Sequence, residues 1–364
     1  MRAESTRCGI DDMTRNRAIA MVIMSSALFG ASTPLARGLV GAIDPLWLAG
    51  LLYAGSGLGL CVILALRHGR IVGGEAGVAR IAPGDLCWLA ATIFAGGVVA
   101  PLLFTFGLRD TNGAAASLLL NLETVLTVLI AWFVFGEHRN ARVVIGMALI
   151  AAACALLAWD RGGDSRLGWG ALLIAAACLC WALDNNLTRR ISGNDAMLVA
   201  ASKGLVGGGV NVGLAAMLAG APPAPTVALA AGVVGFLGYG VSLTLFVVAL
   251  REIGVARASA YYGSAPFFGA AIALLVLGER PDSSFWIAAP LMAVGVWLHL
   301  TERHGHVHSH ERMSHSHPHV HDEHHRHDHG NAWDGKEPHA HPHVHEPVVH
   351  AHRHDPDLHH RHEH

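Results

Sequence analysis

Ten apolar runs of about 20 residues dominate the first 300 residues of this 364-residue chain, and about 20 apolar residues are what a helix needs to cross bilayer hydrocarbon. The runs fall at 18–40, 44–66, 85–108, 112–135, 141–159, 167–188, 195–219, 225–250, 255–278 and 284–301. Strict polar–apolar alternation is absent, which excludes a closed barrel. Helices are then the way to satisfy every backbone N–H and C=O in lipid. The chain is therefore read as an all-α integral membrane protein. Gly and Ala are frequent in the runs, as close helix packing in lipid favours.

Two flanks have other compositions. Residues 1–17 form an N-terminal segment carrying Arg2, Arg7, Arg15 and Arg17. The run that follows is longer than a signal-peptide core and has no clear cleavage site, so it reads as a retained first span. Residues 302–364 hold 23 of the 26 histidines and almost no large apolar side chains. The overall net charge of −2 averages these unlike parts and identifies no partner.

Orientation follows from the basic residues between spans. With the N-terminus inside, thirteen arginines fall on the cytoplasmic side: the four above, then Arg67, Arg70, Arg80, Arg139, Arg142, Arg189, Arg190, Arg251 and Arg257. Five fall outside: Arg37, Arg109, Arg161, Arg166 and Arg280. Both termini are expected in the cytoplasm of a bacterial-type cell, with the spans in its inner (plasma) membrane.

The chain repeats itself. A shift of 142 residues brings Phe104, Leu108 and Arg109 onto Phe246, Leu250 and Arg251, Ala114, Ala116 and Ser117 onto Ala256, Ala258 and Ser259, and Gly136-Glu137 onto Gly278-Glu279. A shift of 152 brings Phe29-Gly30, Leu35 and Arg37 onto Trp181-Ala182, Leu187 and Arg189. Two five-helix units, 18–159 and 167–301, are expected. An odd number of spans per unit gives them opposite orientation, the inverted-repeat plan of secondary transporters.

Leu118-Leu-Leu-Asn-Leu-Glu-Thr-Val through Phe135-Gly-Glu-His, with Gly146 in the next span, resembles the helix-four and helix-five signature of EamA-like transporters in the drug/metabolite transporter superfamily. Tyr261-Tyr-Gly-Ser-Ala-Pro-Phe through Leu277-Gly-Glu-Arg resembles its second copy. Thr124 stands where the family pattern commonly has Pro, kept in the second copy as Pro266. The resemblance covers about 18–300 and implies a ten-helix carrier working by alternating access. It implies a substrate cavity between the halves, with amino acids, metabolites or drugs among the cargoes of known members.

Polar groups at membrane depth are expensive and usually face a cavity or a partner. Asn121, Glu123 and Thr124 in span four, Asp184 and Asn185 in span six, Lys203 and Asn211 in span seven, Tyr239 in span eight and Tyr262 in span nine are the candidate cavity residues. Lys203 needs a carboxylate, either Glu123 or Asp184. The alternatives are a static packing pair or a lysine that snorkels to the interface. Ser117, Asn121 and Thr124 share a helix face, as cavity lining or as a small-residue contact. Glu137 and Glu279, at loop edges, read as interface anchors. The six cysteines, at 8, 61, 87, 154, 178 and 180, show neither metal-ligand spacing nor a disulfide framework and read as packing residues.

In the tail, alternating histidines begin at His304, His306, His308 and His310 and continue through His315, His317, His319, His321, His324, His325, His327, His329, His339, His341, His343 and His345. Interleaved acids such as Asp322, Glu323 and Asp328 can complete a coordination shell. Imidazole suits Ni, Zn, Co and Cu, so divalent transition metals are expected on the tail. Its low apolar content and scattered Pro predict disorder. Sixty residues mixing His with acids and prolines do not look like an appended tag.

A secondary transporter, with an exporter favoured, is the leading expectation, and transport itself requires no cofactor. A membrane-anchored metal buffer or sensor is the alternative. No nucleophile–base pair or phosphate loop points to an enzyme. Expected partners are the bilayer, a small-molecule or metal substrate and metal ions, with a homodimer as an option and no nucleic acid.

Overall fold

The structure, a computed structural model, describes residues 2–71, 81–135, 141–159, 168–191, 194–301, 305–310, 313–319, 339–345 and 348–353. Gly136, Glu137, Arg80, Arg139, Arg161 and Arg166 lie outside the described residues. So do Asp322, Glu323 and Asp328, together with His304, His321, His324, His325, His327 and His329. The chain divides into two units, Met1–Thr301 and Glu302–His364.

The first unit is all-helical. Among the described residues nine helices are long and apolar enough to cross a membrane: Asn16–Leu39, Pro45–Leu66, Pro83–Gly107, Gly113–Val134, Ala141–Ala158, Trp169–Ile191, Ala196–Leu218, Pro225–Leu250 and Arg257–Leu275. A shorter apolar helix, Ser283–His299, completes ten, numbered here as spans one to ten. Large apolar side chains left exposed, such as Phe133, Trp169, Met217 and Leu275, suit a surface solvated by lipid tails.

The helices are not uniform, and their irregularities recur at the repeat offset. Span three passes through a π-helical stretch at Ile93–Val99, and span eight through one at Phe236–Val241. There the Ala100 N–H reaches the Ala95 carbonyl, and the Ser242 N–H reaches that of Leu237, five residues back in each case. Paired glycines, Gly96-Gly97 and Gly238-x-Gly240, weaken the α preference in both copies. Span four breaks at Leu120, between Gly113–Leu119 and Asn121–Phe135. Span nine breaks at Gly263-Ser264, between Val255–Tyr262 and Ala265–Leu275. Pro266 opens the second piece of span nine, but the break in span four forms with Thr124 in that role. The Glu123 N–H bonds to the Leu120 carbonyl at 3.1 Å, a three-residue turn that needs no proline.

Equivalent helices of the two halves pack on each other. Spans two and seven meet with Gly57 against Gly204, and spans five and ten with Gly146 against Gly295. A Cβ at any of these positions would collide with the facing backbone. Such approach raises dispersion contact where lipid supplies no hydrophobic drive between helices. Pairing of like with like is what two inverted copies of one unit produce.

The described pieces of the second unit are extended: β1 (Gly305–His310), β2 (Met313–His319), β3 (His339–His345) and β4 (Val348–Arg353). β1 pairs antiparallel with β4 and β2 with β3. Alternation of His with Ser, Val, Ala or Pro has the two-residue period of a strand.

Candidate substrate cavity

Inside the first unit a cavity of about 270 Å³ is walled by spans from both halves. Six aromatic rings line it as a connected belt. Tyr262 lies 5.5 Å from Phe29 between ring centres, Phe29 lies 6.0 Å from Tyr239, and Tyr239 lies 5.7 Å from Tyr53. Tyr53 accepts the indole N–H of Trp181 at 3.0 Å, and the Trp181 ring centre lies 5.5 Å from that of Phe104. Ser32, Thr33 and Ser56 add hydroxyls, and Glu123, Asp184 and Lys203 add charge.

The belt is anchored on a backbone atom freed by the sequence. In the π stretch the Gly96 carbonyl would look five residues on for a donor, to Pro101, which has no N–H. Tyr53 Oη donates to that carbonyl at 2.9 Å and Trp181 Nε1 at 3.2 Å. Asn211 Nδ2 donates to the neighbouring Gly97 and Val98 carbonyls, each at 3.3 Å. The opened turn is thus satisfied by side chains of spans two, six and seven, as buried backbone groups require.

Lys203 Nζ lies 2.6 Å from Asp184 Oδ1 and donates to Thr188 Oγ1 at 2.9 Å. Thr188 also donates to Asp184 Oδ1, at 3.1 Å. The two charged side chains are only 17% and 10% exposed, so the lysine is paired at depth and does not snorkel. Glu123 has a neutral neighbour instead: Asn185 Nδ2 donates to its Oε1 at 2.8 Å. Among the described residues no basic side chain forms an ion pair with Glu123.

Five of the nine residues expected at the cavity line it: Glu123, Asp184, Lys203, Tyr239 and Tyr262. Asn185 reaches it through Glu123. Three do not line it. Asn121 is buried against span ten, donating to the Leu118 carbonyl and to Met292 Sδ. Thr124 is exposed and is not among the lining residues. Asn211 serves the π stretch. A polar side chain in lipid needs a partner, and for the Asn NH2 a nearby carbonyl supplies one. Sequence reasoning did not single out Phe29, Tyr53, Phe104 and Trp181, because aromatic residues are ordinary in membrane helices. One signal was present: the 152-residue shift lays Phe29 onto Trp181.

One end of the cavity is shut. Both Glu279 carboxylate oxygens accept backbone N–H groups at the start of span four, Gly113 at 3.0 Å and Ala114 at 2.9 Å. Arg37 Nε donates to the Thr111 carbonyl at 2.9 Å. Gly30 and Ser117 press on Gly269. Spans one, four and nine therefore close together at the end away from the termini of the unit. Glu279 is a helix cap there, a more specific role than an interface anchor. At the other end, among the described residues, Asn121–Phe135 and Val255–Tyr262 are not packed together in this way.

Comparison with known proteins agrees with this architecture. The model of the EamA-like transporter family matches residues 16–159 and again 168–301. A protein of Methanothermobacter thermautotrophicus (strain Delta H) described as an uncharacterized transporter is 29% identical over 290 residues, covering 76% of this chain and 84% of its own. A solved structure described as "Crystal structure of protein" shares the fold, with TM-score 0.56 and 21% identity over 77% of this chain and 95% of that one.

Proposed function

The chain belongs to the EamA-like transporter family, and from that premise we propose that it is a secondary carrier that moves a small molecule by alternating access. It is a multi-pass membrane transporter; the mechanism and cargo are our reading. The observation that carries it is the asymmetry of the cavity. Both halves wall it, Glu279 and spans one, four and nine shut one end, and among the described residues Asn121–Phe135 and Val255–Tyr262 are not packed together in that way at the other. Two inverted copies can exchange these roles, which opens the opposite end at little net cost. With the N-terminus inside, as the loop arginines favour, the closed end is the outer one and the cavity faces the cytoplasm. That suits loading of cargo for export. The chain shows no nucleotide-binding motif, so an ion gradient or the cargo's own gradient is the driving force. Glu123 and Asp184 are the proton-carrying candidates.

The test is accessibility. In a cysteine-free background, Ser32→Cys is labelled with a membrane-impermeant maleimide in right-side-out and inverted vesicles. Labelling from both faces is the expected result. Labelling from one face alone overturns alternating access.

We further propose that the tail binds divalent transition metals and regulates or buffers while the spans carry an organic cargo. Among the described residues no group of three His, Cys, Asp or Glu side chains gathers as a metal site. A dedicated cation path would place such ligands at membrane depth. The second reading is a metal buffer or sensor in which the tail has the main role. Cellular Ni, Co, Zn and Cu, measured with the intact chain and with residues 302–364 removed, separates them. Metal lowered by both forms would mean that the spans export it.

A further inference from the structure

We propose that the cavity takes an organic monocation, an amine with an apolar or aromatic body, seated on Glu123 against the aromatic belt. This names a cargo class for the carrier proposed above and rests on that reading. The first support is charge balance. The cavity holds two carboxylates and one ammonium, and the ammonium is spent: Lys203 lies 2.6 Å from Asp184 and 2.9 Å from Thr188. Glu123 has only the neutral amide of Asn185, at 2.8 Å, as its hydrogen-bonding neighbour among the described residues. An ionised carboxylate at membrane depth is costly until a proton or a cation meets it, and one site can exchange the first for the second. One monovalent cation supplies the positive charge.

Donor supply is the second support. An anion or a zwitterion's carboxylate needs N–H or O–H groups. The Trp181 indole N–H and the Tyr53 hydroxyl are both committed to the Gly96 carbonyl, at 3.2 and 2.9 Å. An incoming carboxylate would meet neutral hydroxyls, because the one lining ammonium, Lys203, is already paired with Asp184. The third support is the wall itself. Phe29, Tyr53, Trp181, Tyr239 and Tyr262 line it with aromatic rings, and a ring face attracts an ammonium and repels an anion. Their hydrocarbon area takes the apolar body.

Three probes with the same ring and different charge decide between classes: phenethylamine, phenylalanine and phenylacetate. Each is titrated into the purified full-length protein in lipid nanodiscs, with binding read by calorimetry and by Trp181 fluorescence against Trp181→Phe. Phenethylamine is expected to bind at least about tenfold more tightly than either of the others, and Glu123→Gln to weaken it about tenfold. Glu123→Asp, which keeps the charge, should retain part of the affinity. Equal or tighter binding of phenylacetate or phenylalanine overturns the proposal, as does phenethylamine binding unchanged by Glu123→Gln, or no binding of any probe. Should Glu123→Gln fail to fold, the three-probe ranking on the native chain decides alone. Maleimide labelling of Ser32→Cys keeps the two readings apart. Labelling from both faces with no preference for the amine removes the cargo class and leaves the carrier.

Discussion

The Asp184 carboxylate rests on Gly96, in the space a Cβ at that position would occupy. Gly238 occupies the place of Gly96 in the second half, and there the facing residue is Ser32. By the two repeat offsets, Ser32 and Asp184 are also equivalent positions. One seat of the ancestral unit is thus charged in one copy and neutral in the other, and Lys203 answers the charged one.

Gly96→Ala should therefore do more than overfill a packed site. The new methyl pushes Asp184 away from Lys203, adding a broken ion pair to about 1–3 kcal/mol of overpacking. Thermal unfolding in detergent should show a larger loss for Gly96→Ala than for Gly238→Ala, which displaces only a serine. Equal losses would mean that the carboxylate seat has no special weight.

Lys203→Met should destabilise the protein by about 3–5 kcal/mol, because it strands a buried carboxylate. Adding Asp184→Asn removes the stranded charge and should recover more than half of that loss. Denaturation midpoints of the two single variants and the double variant close the cycle. A double variant no more stable than Lys203→Met contradicts pairing as the source of the cost.

Glu279→Gln removes a charged cap from the start of span four while keeping its shape. Loss of about 1–2 kcal/mol at the closed end should shift the population toward the other state by roughly five- to thirtyfold. Maleimide labelling of Ser32→Cys from the outer face should rise accordingly. An unchanged rate would assign Glu279 no part in holding that end shut.

Metal binding by the tail should depend on pH with a definite sign. Protons and metal compete for imidazole, whose ordinary pKa is about 6.5. Zn binding to the full-length protein should be present at pH 7.5, fall as pH drops through that range and be largely gone at pH 5. Removal of residues 302–364 should abolish it at every pH. Retention of most sites after truncation would place the metal elsewhere.

The spans were legible because hydrocarbon thickness fixes run length, and all ten runs hold helices. The need of Lys203 for a carboxylate was legible too, since charge at that depth must be met. Which carboxylate meets it was not, because Asp184 and Glu123 differ only in which helices stand beside them. Asn121 and Asn211 look as polar in the sequence as Glu123, yet the amide NH2 of each donates to carbonyls outside the cavity. The π stretches were invisible, since glycine pairs mark close packing as often as a slipped turn.

A π stretch is, in sequence terms, one residue more than an α-helix needs, and it rotates everything beyond it by about 100°. Ile93–Val99 and Phe236–Val241 carry that surplus at matching places in the two halves. A single insertion in the unit before it was doubled accounts for both. The slip is then older than the duplication, and so is the aim it gives to spans three and eight. The two copies have since diverged in the charge they set against it.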